Sequence, residues 1–374
     1  MTDDVVHCRH GETCGACSFL GLAYPAQMRR KERLLATALR TFRSLSRAEL
    51  LPCMESPEIA GYRNRAKMAV AISRHDLDSL GYFRPRSREV EDAPDCVVLK
   101  PELLETTRAF RNWLRGPKRV PKVLRHIDVR CGSDAKKQHL TLVLRTDEMP
   151  NFPLDGIRKA CRHVDGISIN LNPSAGPQVI KGPIHHQWGS RDLFVDLAGM
   201  SLRLSAGSFF QVNPSVLPAI HEVMADFLSG GRRLADLYSG VGTHGFALCR
   251  DFESVLAVEG ARSSVADAKA TIRRFKLQNV KVVSKPVERS LEPLRDHDAD
   301  CVIMNPSRAG AVPSVLDTLG ASAAKRIVYL SCNPQTLARD LDHLVRAGFR
   351  LESVQPIDMM PQTRQVEAIA LLRR

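Results

Sequence analysis

The chain has 374 residues, more than one ordinary hydrophobic core accommodates, so we expect two domains. Hydrophobic residues make up 44% of the chain and charged residues 25%, which is typical of a globular protein and excludes a wholly disordered one. The formal net charge of +13 would attract a polyanion, and nucleic acid is the simplest such partner, although many basic proteins bind none.

The composition of the first residues does not predict a secretory signal. Asp3 and Asp4 stand where a secretory signal would be basic, and no apolar run follows them. Nowhere do apolar residues approach the roughly 20 consecutive positions of a membrane helix. We therefore expect a cytoplasmic protein with no membrane partner, whose ten cysteines are metal ligands, catalytic thiols or core residues rather than disulfides.

Three of these cysteines lie close together near the start of the chain. Cys8, Cys14 and Cys17 form a compact set of thiols, and one more ligand would complete a tetrahedral site. Cys96 is the candidate for that ligand. The spacing leaves structural zinc and an iron–sulfur cluster both open. Because Cys96 is distant in sequence, either group would fasten the start of the chain to the segment around residue 96.

Residues 1–208 are predicted to form an α+β accessory region. The segment 26–42 has a helical pattern with five basic residues, and it could pack on the domain that follows. A second helix is predicted near 102–114. Strand-like apolar runs occupy 67–73, 139–145 and 166–171.

A short basic run in this region is a candidate RNA surface. Arg63, Arg65 and Lys67 alternate along a predicted strand, which would place them on one face, where they could contact phosphates. The alternative is a solvated basic face with no ligand. The run therefore marks a possible contact site for nucleic acid without establishing one.

Residues 209–374 have the alternating pattern of a Rossmann-like α/β domain. A helix begins at Asn213-Pro214, and apolar strands ending at Asp236 and Glu259 are each followed by a turn and a helix. Further strands are predicted at 300–304 and 326–330. This rhythm is typical of a doubly wound parallel sheet, in which ligands bind at the carboxyl ends of the strands.

The turn after Asp236 has the composition of a nucleotide-binding loop. Gly240 and Gly242 allow the backbone to approach a ligand closely, and Glu259 lies at the strand end where an acid accepts hydrogen bonds from ribose hydroxyls. Gly245 completes a G-x-G-x-x-G pattern, so NAD and AdoMet both remain open, as does a turn without a ligand.

Cys332 follows a buried strand, at the edge where such sheets bind ligands. A lone cysteine is usually a buried core residue, but a thiol beside an AdoMet loop suits methylation of a pyrimidine. A thiolate that adds to carbon 6 makes carbon 5 nucleophilic enough to accept a methyl group. A base must then remove the carbon-5 proton. Glu367, in the final apolar strand, could be that base or a surface carboxylate.

Five motifs, taken together, resemble those of the RNA uracil-5 methyltransferase family, and the resemblance spans essentially the whole chain. They are Ser208-Phe-Phe-Gln-Val-Asn-Pro214, Asp236-Leu-Tyr-Ser-Gly-Val-Gly-Thr243, Asn305-Pro-Ser-Arg308, Ser331-Cys-Asn-Pro334 and Pro361-Gln-Thr-Arg-Gln-Val-Glu367. The resemblance implies AdoMet as cofactor, Cys332 as nucleophile and Glu367 as base. The AdoMet-binding residues that it and the loop imply are Gln211, Tyr238, Glu259, Asn305, Asp236, Gly240 and Gly242.

The chain departs from the family pattern at four positions. Ser239 stands where Cys is usual, His244 where an apolar residue or Phe is common, Ser307 where a second Pro is usual, and Gln365 where His is frequent. None of these changes removes a chemical role, but Ser307 leaves the geometry of the loop behind Asn305 open.

The resemblance also implies a [4Fe–4S] cluster held by Cys8, Cys14, Cys17 and Cys96, as in the ribosomal branch of the family. The chain is most similar to the short branch without an N-terminal OB-type domain, which methylates a hairpin loop of 23S ribosomal RNA; we expect a monomer. The alternatives are an enzyme for the tRNA T-loop, a cytosine-5 enzyme, an RNA-binding protein without activity and an NAD oxidoreductase.

Overall fold

The structure, a computed structural model, describes residues 5–72, 78–116, 120–176 and 178–374. The helices are α1 (Tyr24–Leu39), α2 (Pro101–Leu114), α3 (Leu154–Ala160), α4 (Leu217–Leu228), α5 (Gly245–Leu248), α6 (Arg262–Phe275), α7 (Leu291–His297), α8 (Pro313–Gly320) and α9 (Pro334–Arg346). Within those ranges, none of the helices combines the length and the apolar character needed to cross a membrane.

The strands form two large sheets and one hairpin. In chain order they are β1 (Glu49–Leu50), β2 (Arg65–Ala71), β3 (Ser79–Phe83), β4 (Val90–Asp92), β5 (Leu124–Cys131), β6 (Gln138–Leu144), β7 (Val164–Leu171), β8 (Ile184–Gly189), β9 (Asp192–Leu197), β10 (Met200–Ser205), β11 (Arg233–Leu237), β12 (Ser254–Val258), β13 (Val280–Val283), β14 (Cys301–Met304), β15 (Arg326–Ser331), β16 (Arg350–Ile357) and β17 (Glu367–Arg373). The end of the strand predicted at 67–73, Ser73, lies outside the described residues.

The catalytic layer is an eight-stranded sheet in the order β1-β16-β17-β15-β14-β11-β12-β13. The run from β15 to β13 is parallel, and β17 is antiparallel to both of its neighbours. Its central strands are short apolar runs that are buried on both faces, because helices cover each side of the sheet. The prediction of a Rossmann-like α/β domain with a largely parallel sheet is confirmed.

The accessory layer is a seven-stranded sheet in the order β4-β3-β2-β5-β6-β7-β8. Neighbouring strands are antiparallel except for the parallel pair β6–β7. Helices α2 and α3 pack on it through a hydrophobic core that includes Phe110, Ile157 and Leu142. The predicted strands at 139–145 and 166–171 correspond to β6 and β7, and the predicted helix at 102–114 corresponds to α2.

Two segments that precede residue 208 pack on the catalytic layer. Leu35 and Leu39 of α1 share a hydrophobic core with Leu341 of α9, and β1 pairs with β16. The hairpin β9–β10 contributes Leu202 to the core on the other side of that sheet. The helix predicted at 26–42 corresponds to α1. The domain boundary predicted at residue 208 stays a prediction.

The start of the chain is bonded to the loop that precedes β17. Phe19 N donates to Gln362 O at 2.9 Å, and Arg364 N donates to Ser18 Oγ at 2.9 Å. Lys31 of α1 forms a fully buried ion pair with Asp358. These contacts join the segment after Cys17 directly to the loop that leads to Glu367.

Candidate active site

The predicted functional residues lie at the carboxyl ends of four neighbouring parallel strands. Tyr238 follows β11, Glu259 follows β12, Asn305 follows β14 and Cys332 follows β15. Because these strands are adjacent and parallel, their carboxyl ends meet at one edge of the sheet. There they border a cavity of ≈ 470 Å³, a size that suits a nucleoside-sized ligand. Its lining includes Gln211, Tyr238, Gly240, Glu259, Asn305, Arg308, Cys332 and Glu367.

The glycine loop forms one wall of this cavity. Gly242 has a φ of +93°, and a Cβ atom there would lie 2.5 Å from the ring of Phe246, so only glycine fits. The Glu259 carboxylate accepts hydrogen bonds from Gly240 N at 2.9 Å and from Ala261 N at 2.6 Å. These bonds fix Glu259 in place and leave lone pairs free to accept from ribose hydroxyls.

Asp236 acts beneath the loop rather than in the cavity. Its buried carboxylate accepts a hydrogen bond from Gly245 N at 2.8 Å, which ties the end of β11 to the start of α5. Burial raises the pKa of Asp236 to about 7. Asp236 and Gly242 therefore shape the loop, whereas the other five predicted AdoMet residues line the cavity.

Cys332 and Glu367 face the same cavity although they come from different strands. Glu367 begins β17, which runs antiparallel beside β15, so its carboxyl group comes close to the half-buried thiol. Burial raises the pKa of Glu367 to about 7. Burial raises the pKa of the Cys332 thiol above its ordinary value, and the nearby charge of Glu367 is the second cause of this increase. The site thus pairs a carboxylate able to exchange a proton near neutral pH with a thiol.

Arg308 is a site residue to which the sequence analysis gave no role. Its charge and a side-chain hydrogen bond lower the pKa of the Cys332 thiol, opposing burial and favouring the thiolate. Arg308 also donates a hydrogen bond to Gln365 Oε1 at 2.7 Å. The only signal in the sequence was its place in the motif that begins at Asn305.

Arg308 and Cys332 also border a second cavity, of ≈ 400 Å³, whose lining includes no residue of the glycine loop. Arg364 and Gln365 form part of its wall. Phe209, which is 59% exposed, lines the first cavity, whereas the neighbouring Phe210 is buried in the core of the catalytic layer. Cys332 therefore borders both cavities, and its thiol can be reached from either of them.

The four predicted cluster cysteines lie near one another. Burial, together with the charges of Cys96, Cys14 and Cys8, raises the pKa of Cys17 to about 12. Over the ranges that the structure describes, no group of three or more His, Cys, Asp or Glu side chains is arranged to hold a metal ion. A polynuclear cluster, with several metal atoms between its thiolates, sets them farther apart than one ion does.

Two polar atoms beside these cysteines bear on whether a cluster fits. Arg63 Nε and the Tyr82 hydroxyl are buried, and neither has a hydrogen-bond partner within the described part of the chain. Both groups interact electrostatically with Cys96. Iron–sulfur clusters accept hydrogen bonds at their sulfur atoms, so two buried donors beside four thiols fit such a group.

The three basic residues of the predicted RNA surface have different surroundings. Arg63 lies at the cysteines, and Arg65 donates to Asp128 Oδ1 at 2.8 Å as part of a two-point ion pair. Lys67 is exposed. Arg63 and Arg65 therefore have internal roles, and contact of any of the three with RNA stays a prediction.

Comparison with known proteins agrees with this geometry. A model of the tRNA (uracil-5-)-methyltransferase family matches residues 167–374. An uncharacterized RNA methyltransferase of Thermosynechococcus vestitus is 31% identical, over 98% of this chain and 83% of its own length. An uncharacterized RNA methyltransferase of Gloeobacter violaceus is 30% identical, over 98% of this chain and 82% of its own length.

A solved structure is also similar over most of its length. The tRNA (uracil-54, C5)-methyltransferase of Pyrococcus abyssi, in complex with S-adenosyl-L-homocysteine, has a TM-score of 0.77 and 27% sequence identity. The similarity covers 96% of this chain and 84% of that one. The family match includes the glycine loop, Cys332 and Glu367. This chain therefore belongs to the tRNA (uracil-5-)-methyltransferase family of AdoMet-dependent RNA methyltransferases.

Proposed function

We propose that this protein methylates carbon 5 of a uridine in 23S ribosomal RNA through a covalent bond between Cys332 and carbon 6 of the base. The observation that carries the proposal is that Cys332 and Glu367 line one cavity with the glycine loop and Glu259. Nucleophile, base and cofactor loop are thereby within reach of one bound uracil.

Each half of the reaction has its own residue. Cys332, as the thiolate that Arg308 favours, bonds to carbon 6, and carbon 5 gains the electron pair of the double bond. AdoMet, when bound, supplies an electrophilic methyl group on a sulfonium. Carbon 5 bonds to that methyl group as the methyl–sulfur bond breaks. Glu367 then removes the carbon-5 proton, the double bond re-forms and the bond to Cys332 breaks.

The substrate is supported by the cysteine set, whose resemblance is to the ribosomal branch of the family. The tRNA T-loop is the second candidate, favoured by the similarity to the Pyrococcus abyssi tRNA enzyme. The test is to incubate the protein with labelled AdoMet and unmodified transcripts of 23S RNA or tRNA. We expect label in 5-methyluridine of the 23S transcript. Label in tRNA alone would establish the second candidate, and label in neither would overturn both.

We further propose that Cys8, Cys14, Cys17 and Cys96 hold a [4Fe–4S] cluster. Its charge would be offset by Arg63, the cation beside these thiols. The cluster would fasten the segment before α1 to the accessory sheet, as a structural metal does. A structural role places the cluster outside the methyl-transfer step.

The protein purified without oxygen should be brown and contain about four irons per chain. Cys96→Ser should lose the colour and the iron and lower the melting temperature, because one ligand of the site is gone. Cys161→Ser is the matched control: this cysteine is buried in the same hydrophobic core, and its replacement should keep the iron. Colourless protein with one zinc would contradict the proposal.

Of the basic run, we propose that Lys67 contacts an RNA phosphate, because it is the exposed member. Lys67→Gln should lower the slope of log affinity against log salt by about one unit, since one phosphate contact is lost. Lys325→Gln is the control, because Lys325 is exposed and precedes β15, at the end of that strand opposite Cys332. If the Lys67 and Lys325 variants have the same slope of log affinity against log salt, Lys67 is a solvated surface residue that does not contact RNA.

A further inference from the structure

Two buried histidines lie behind the glycine loop. His221 comes from α4, and His244 stands between the loop and α5. Their rings meet edge to face, with His221 Nε2 3.2 Å from His244 Nδ1. Burial lowers the pKa of His221 to about 4 and that of His244 to about 3. Both imidazoles are therefore neutral at physiological pH.

The contacts of the two rings favour one placement of their protons. A neutral imidazole has one donor nitrogen and one acceptor nitrogen. A hydrogen bond to the backbone of Thr243 favours the protonated form of His221, so His221 is the donor in it. If that donor is Nδ1 of His221, its other nitrogen, Nε2, accepts from His244 Nδ1. His244 then carries its proton on Nδ1, and its Nε2 is an acceptor.

His244 Nε2 is buried and has no hydrogen-bond partner among the residues that the structure describes. His244 nevertheless lines the cavity of the glycine loop, together with Glu259 and Ser239, whose Oγ is likewise buried without a partner there. An unpaired buried acceptor is unfavourable, and a ligand that donates to it gains binding energy. This wall of the cavity thus presents acceptors at His244 and Glu259, and it suits a ligand with donors.

We propose that His244 positions the cofactor, with Nε2 accepting a hydrogen bond from a donor group of AdoMet. The donor is either the ammonium of the methionyl part or a ribose hydroxyl. This inference rests on the proposed function, because it requires AdoMet in this cavity. His221 acts through His244: it holds the ring in the tautomer that leaves Nε2 free to accept.

The test compares the binding of two ligands by calorimetry. S-adenosylhomocysteine carries both donor groups, whereas 5′-methylthioadenosine keeps the ribose and lacks the amino-acid part. His244→Phe removes the acceptor and introduces a ring that the family tolerates at this position. It should weaken the binding of S-adenosylhomocysteine about tenfold or more, and His244→Gln, whose Oε1 can accept, should recover most of the loss.

The two ligands distinguish the two donors. If His244→Phe weakens S-adenosylhomocysteine and leaves 5′-methylthioadenosine unchanged, the donor is the ammonium. Equal weakening of both assigns the ribose. Unchanged affinity for both overturns the inference, and a wild-type protein that binds neither ligand counts instead against the proposed function. Should the Phe variant fail to fold, His244→Met offers the same test with a smaller, flexible side chain.

Discussion

Cys332→Ala should bind RNA and S-adenosylhomocysteine as the wild type does, yet form neither methylated product nor covalent adduct. The physical reason is that carbon 5 of uracil acquires nucleophilic character only after the thiolate has added to carbon 6. Loss of a catalytic nucleophile lowers turnover by several orders of magnitude. The measurement is transfer of labelled methyl groups to RNA, with binding measured separately.

Cys301→Ala is the matched control for this experiment. Cys301 is buried at the start of β14, at the end of the sheet away from the cavity, so its loss removes a core thiol without touching the site. We expect the control to keep its activity. Uracil methylation by the Cys332 variant at a rate near that of the control would refute covalent catalysis.

Glu367→Gln should fail at a later stage and accumulate a methylated RNA bonded to Cys332. Addition and methyl transfer do not require the base, but the carbon-5 proton cannot leave without it, so the thiolate is not released. The adduct would appear as a slow band in a denaturing gel. The double variant with Cys332→Ala should lack the band. Normal turnover by Glu367→Gln, with no adduct, would assign the base to another group.

The same carboxyl group predicts a dependence on pH. Burial holds the pKa of Glu367 at about 7, well above the ordinary value for Glu. Only the ionised carboxylate can accept the proton, so release of the product should slow as the pH falls through about 7 and quicken above it. The wild-type profile can be followed by single-turnover release of methylated RNA, whereas Glu367→Gln should keep the adduct at every pH.

The sequence predicted the residues whose position depends on local structure. Glu259 and Cys332 each follow a strand that is recognisable from its apolar run, and parallel topology brings the strand ends together. Tyr238 and Asn305, which the family resemblance implied, also directly follow strands of this sheet. Glu367 was predicted from the family motif, because its role depends on β17 lying beside β15. That pairing joins strands that are separated in the chain by a helix and another strand.

Other features depend on contacts that no local pattern contains. Arg63 belongs to an alternating basic run, but the fold directs it to the cysteines and directs Arg65 to Asp128. His244 is one residue of a glycine-rich turn, and its acceptor role follows from a neighbour on α4. These roles are set by distant partners, so the sequence could name the residues without their functions.

The hydrogen bonds and the ion pair between the start of the chain and the loop before β17 limit the order in which the contacts of the fold can form. Ser18 pairs with Arg364, and Lys31 pairs with Asp358, across almost the whole sequence. Contacts of such separation close very large loops, which makes them late events in folding. During translation α1 emerges long before its partners, so Lys31 stays without Asp358 until residue 358 has been synthesised. Glu367 follows Asp358 in the chain, so the candidate base can join Cys332 only after these partners of the first 40 residues have been made.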